Sequence, residues 1–102
     1  MHVLALEVAI RIPSARSRKD RRQVVRSLVE APRRRFGVAA ADVGEADVGQ
    51  AGPHRGAVLG YAAVSSSPAQ AEAVIDSVEA FVWSHPDIEV VDARRRWLPD
   101  EG

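Results

Sequence analysis

Leu4, Leu6, Val8, Ile10 and Ile12 occupy every second position of the opening segment, and this alternation is the tightest constraint the chain places on its own fold. In extended backbone, successive side chains point to opposite faces. These five therefore share one apolar face, and Val3, Ala5, Glu7, Ala9 and Arg11 share the other. Such a strand needs a second layer to cover its apolar side. Pro13, which lacks an amide donor, closes it.

The pattern then changes from strand to helix, and the change occurs twice. Ser17 with Asp20 three residues on provides a helix start in which a hydroxyl meets an open amide. Val24, Val25, Leu28 and Val29 gather on one side at helical spacing, and Pro32 is expected to end the regular helix near Ala31. Residues 36–43 and 57–64 are short, apolar and partly β-branched, as a second and a third strand would be. Between them, residues 44–56 hold four glycines and Pro53, which reads as a long, mobile hairpin connection.

Ser67, Pro68 and Gln70 form a second helix start, followed by an apolar stripe of Ala71, Val74, Ile75, Val78, Phe81 and Val82. His85 and Pro86 stop that helix, residues 88–97 supply a last strand, and residues 99–102 make a short acidic tail. The order strand, helix, strand, strand, helix, strand is two split βαβ units. It predicts one α+β domain over residues 1–98 with the ferredoxin-like βαββαβ arrangement: a four-stranded antiparallel sheet with both helices on one face. The other face, small and mostly apolar on the first strand, is expected to pair two copies of the chain as a homodimer.

Charge divides the chain where hydropathy does not. The formal net charge is +0, yet residues 1–36 hold ten Lys and Arg against three acids, and residues 37–102 hold four against eleven. At about 100° per residue, Lys19, Arg22, Arg26 and Arg33 project within about one sixth of the first helix's circumference. Arg16, Arg18 and Arg34 flank this ridge, and Arg21 adds to its first turn. Guanidinium forks match phosphate oxygens, so Lys19, Arg21, Arg22, Arg26 and Arg33 are the candidate nucleic-acid contacts, with ribosomal or other RNA as the expected partner. A solvated helix face is the competing interpretation, and with it a structural homodimer without any nucleic-acid role.

Arg94, Arg95 and Arg96 form a second basic run before Trp97. Strand alternation puts Arg95 and Trp97 on one face and Arg94 with Arg96 on the other. The stacking aromatics of an RNA-recognition motif are missing, since only Tyr61 stands on the third strand and none on the first. Nothing here names a reaction. Cysteine is absent, His2, His54 and His85 are scattered, and no Gly-x-Ser-x-Gly elbow surrounds Ser65, Ser66 or Ser67. No metal, cofactor or enzymatic activity is expected. The opening residues lack a signal-peptide pattern and no run reaches about 20 apolar residues, so a cytoplasmic setting without a membrane span is expected.

Several stretches resemble one known family. Ile12-Pro13 followed by Ser17-Arg18-Lys19-Asp20-Arg21-Arg22, then Arg35-Phe36, Ala41-Asp42-Val43, Val64-Ser65, Phe81-Val82 and Arg96-Trp97-Leu98 are similar to the YlxP-like family of small bacterial proteins with a domain of unknown function. The resemblance implies a ferredoxin-like fold, a cytoplasmic bacterial setting and an association with RNA or ribosomes. Arg18 stands where that family commonly has Leu, Pro32 replaces a helical Leu, and the stretch from Gln50 to Gly60 is longer.

Overall fold

Both helix starts form as their sequences dictate. Ser17, in extended backbone, accepts the Asp20 amide on Oγ at 3.2 Å, and Asp20 Oδ2 accepts the Arg16 amide at 2.9 Å. Ser67 Oγ accepts the Gln70 amide, with Pro68 opening the helix where no donor is needed. The computed structural model describes residues 1–44 and 55–99. Its elements are β1 (His2–Arg11), α1 (Arg18–Phe36), β2 (Ala39–Gly44), β3 (Gly56–Ser65), α2 (Pro68–Trp83) and β4 (Glu89–Leu98).

The strands make one antiparallel sheet in the order β2-β3-β1-β4, so the fold is the ferredoxin-like α+β arrangement. Register follows the alternation of β1. Leu4, Leu6, Val8 and Ile10 point toward the helices and are at most 2% exposed. They meet Val25 and Leu28 of α1 and Ala71, Ile75, Val78 and Val82 of α2 in a single core. The opposite face pairs Ala5 with Ala62 and Glu7 with Gly60, and among the described residues it carries no helix. Among the described residues no helix is long and apolar enough to cross a membrane.

The first helix runs past the expected stop. Instead of ending near Ala31, α1 continues through Pro32 to Phe36, where Gly37 adopts the left-handed conformation (φ 66°) that ends it. A proline inside a helix deprives the carbonyl four residues earlier of its donor, here that of Leu28. Tyr61 of β3 replaces it: its hydroxyl donates to Leu28 O at 2.7 Å from a buried position. Pro32 itself is fully buried, so the ring that costs the helix a hydrogen bond also fills the core. Phe36 therefore belongs to the helix, meeting Phe81 edge to face at 6.3 Å, and β2 starts at Ala39 rather than at position 36. Of the expected hairpin connection over 44–56, residues 45–54 lie outside the described residues, as do residues 100–102 of the acidic tail.

Candidate nucleic-acid interface

The stripe Lys19, Arg22, Arg26 and Arg33 follows from helical spacing, and the packing of α1 decides where it points. Val25 and Leu28 bury one side of the helix, which turns the basic stripe toward the outer strand β2. There it borders a groove of about 770 Å³. Lys19, Arg22, Arg26 and Arg33 line the groove together with Glu30, and Ala41 and Asp42 of β2 form the opposite wall. Four of the five cations expected from sequence are thus brought together.

They differ in how much they are already engaged. Among the described residues, the side chains of Lys19 and Arg22 make no hydrogen bond or ion pair. Arg26 meets Glu30 at 3.2 Å one turn on, but its side chain stays 76% exposed, a pairing of little strength in water. Arg33 donates through Nη2 to the Ala40 carbonyl of the outer strand, which occupies one of its donors and shields part of an open sheet edge.

Arg21 does something else. It is not part of the groove lining, and its side chain is only 12% exposed. The guanidinium bonds both oxygens of Asp42, at 3.0 and 3.4 Å, and donates to the Gly56 and Gly44 carbonyls at 3.0 and 3.4 Å. Arg21 therefore joins α1 to the end of β2 and the start of β3 while neutralising the carboxylate on the groove wall. Spacing alone could have hinted at this: Arg21 lies well outside the arc shared by the other four, by about 100° or more.

The other cations divide as strand alternation requires. Arg95 projects to the helix side. Burial there works against its charge, but bonds to Asp76 at 2.8 Å and Glu79 at 3.4 Å outweigh that and hold its pKa above the usual guanidinium value. Trp97 shares that side and meets His2 edge to face. Arg94 and Arg96 lie on the open face, where Arg94 bonds Asp92 at 2.8 Å. Arg35 sits 5.1 Å from the Phe36 ring and 5.5 Å from that of Phe81.

One serine and one histidine come together without forming a reactive pair. Ser27 Oγ lies 3.2 Å from His85 Nε2, but its proton goes to the Val24 carbonyl at 2.8 Å. His85 Nδ1 accepts the Asp87 amide, which places the neutral ring's proton on Nε2, aimed at the serine. An imidazole in that state donates to the hydroxyl and cannot take its proton. Ser27 and His85 latch α1 to the segment after α2. Among the described residues, no three His, Asp or Glu side chains gather as a metal site would require.

Comparison with known proteins identifies a family. Residues 3–95 match the family described as "Protein of unknown function (DUF503)". Over 87 residues the chain is 34% identical to "Uncharacterized protein YlxP" of Bacillus subtilis (strain 168), covering 85% of this chain and 89% of the relative. The match takes in the capped basic helix, the tyrosine-bearing third strand and most of the last strand, and the chain belongs to this DUF503 family of YlxP-like proteins.

Proposed function

We propose that the protein is a cytoplasmic accessory factor that binds the phosphate backbone of RNA, ribosomal RNA included, in the groove between α1 and β2, without catalysing a reaction. The observation that carries this reading is the convergence of Lys19, Arg22, Arg26 and Arg33 on one groove, with Lys19 and Arg22 unengaged among the described residues. Helix energetics supply a second reason. Cations in a first turn oppose the helix dipole and cost about 0.3–1 kcal/mol each. Arg21 offsets that cost with its bonds to β2 and β3, but among the described residues Lys19 gains nothing comparable. An external anion recovers it. Phosphate contacts of this kind position a backbone and read no sequence.

Binding is then salt-dependent. If about four single-strand phosphates are neutralised, log affinity falls against log salt with a slope of about −3. Fluorescence anisotropy with a labelled single-stranded RNA at several salt concentrations measures it. Replacing Arg22, Arg26 and Arg33 by Gln should weaken binding and flatten the slope while leaving the thermal transition in place. Equal affinity and slope for the triple variant and the parent would refute the assignment.

A further inference from the structure

The sheet face away from the helices has the composition of an interface, and among the described residues no element covers it. Register sets Val64, Val3 and Leu98 side by side in one row, with Val64 65% and Leu98 37% exposed. The next row holds Ala39, Ala62 and Ala5, ending at Arg96. The row after that places Glu7 between Gly60 and Arg94. Small side chains make the centre a shallow trough of about 640 Å³. At Gly60 a Cβ would come within 3.0 Å of Val43 Cγ1, so the missing side chain is what lets Val43 lie across the sheet there.

We propose that this face binds a second copy of the same chain, sheet against sheet, about a two-fold axis lying in the interface across the strands. Area and charge both favour that occupant. Four strands at about 4.8 Å spacing and about eight residues of each at 3.3 Å give roughly 500 Å² per copy, or about 1,000 Å² in total. That reaches the lower end of specific protein interfaces, about 1,000–1,200 Å². Charge contributes through Glu7 and Arg96, while the axis that pairs them also sets each Arg94, held by Asp92, over the other copy's Arg96. An axis between the Ala5 and Glu7 rows sets Glu7 of each copy over the other's Ala5, whose small side chain leaves room for it, and one strand from the other's Arg96. Among the described residues Arg96 makes no hydrogen bond or ion pair, while Arg94 is already held by Asp92. The same operation lays Val3 and Val64 over Ala9 and Val58 of the second copy. Each charged contact occurs twice, as two-fold symmetry demands.

Sedimentation velocity of the full chain at about 50 μM distinguishes the outcomes. The parent should sediment at twice the chain mass. Glu7→Arg, which sets like charges together, should weaken dimerisation by about ten-fold or more, and Glu7→Arg with Arg96→Glu should restore it. Ala62→Arg, a bulky change at the exposed centre, should abolish the dimer while the circular dichroism melt shows the monomer folded. Lys19→Gln with Arg22→Gln should leave the dimer intact, which separates this interface from RNA binding. A monomer up to about 100 μM would overturn the proposal. So would a dimer that tolerates both Glu7→Arg and Ala62→Arg, a failed exchange of Glu7 and Arg96 in a folded protein, or a dimer lost through the α1 substitutions.

Discussion

Arg21 and Arg22 are neighbours with opposite roles, and one substitution at each separates them. Arg21 is largely buried and meets four acceptors on two strands, so its loss takes the guanidinium from Asp42, which keeps the Gly44 amide on Oδ1, and from two carbonyls. Isolated surface ion pairs contribute little, but a guanidinium sequestered from water with several acceptors is a different case. Arg21→Ala should destabilise the protein by about 2 kcal/mol, lowering the melting temperature by about 10 °C. Arg22→Gln should leave the melt within about 2 °C and weaken RNA binding instead, since it removes a groove cation that is unengaged among the described residues. Paired melting and anisotropy measurements check both. If Arg22→Gln melted as early as Arg21→Ala, the division of labour would be wrong.

At the scale of the element, the continuation of α1 through Pro32 depends on Tyr61. Tyr61→Phe should cost about 1.5 kcal/mol, because the Leu28 carbonyl is left buried without a donor. In a Pro32→Ala background the helix supplies its own amide to that carbonyl, so the same change should cost about 1 kcal/mol less. Urea unfolding of the parent, both single variants and the double variant measures the coupling; additive effects would show that the hydroxyl does not stand in for the missing amide.

The same contact explains what could be read from the sequence. The alternation of β1, the stripe of α2 and both caps are local, and they form where spacing and capping chemistry put them. The end of α1 was not legible, because the donor that rescues it lies 33 residues away on another strand. The shared arc of Lys19, Arg22, Arg26 and Arg33 could be read from helical geometry. The capture of Arg21 by Asp42 could not, since it requires the approach of α1 to β2 and β3.

Across the whole molecule, the excess of cations in residues 1–36 is partly answered by acids from the remainder. Among the described residues, Arg21 meets Asp42, whereas the groove-facing cations meet only Glu30, from the same helix, and the Ala40 carbonyl. Global stability should also respond to base. Burial raises the Tyr61 phenol far above its ordinary value, so the folded state resists losing the proton that the unfolded chain gives up near pH 10. The contribution is fully present below about pH 10 and is lost as pH rises further, by at most about 1.4 kcal/mol per unit. Denaturant midpoints from pH 8 to 11.5 should fall only at the alkaline end, and less steeply in Tyr61→Phe.

Both helices occupy one side of the sheet, and the α1–β2 groove adjoins the opposite face along β2, where Ala41 borders both. Two copies joined through that face as proposed carry two grooves along their shared β2 edge, one in each helix layer. A polyanion long enough to reach from one layer to the other is then tethered twice, and its release waits on the simultaneous opening of both sites. Weak individual contacts with phosphate become durable attachment through avidity, with no additional charge on either chain.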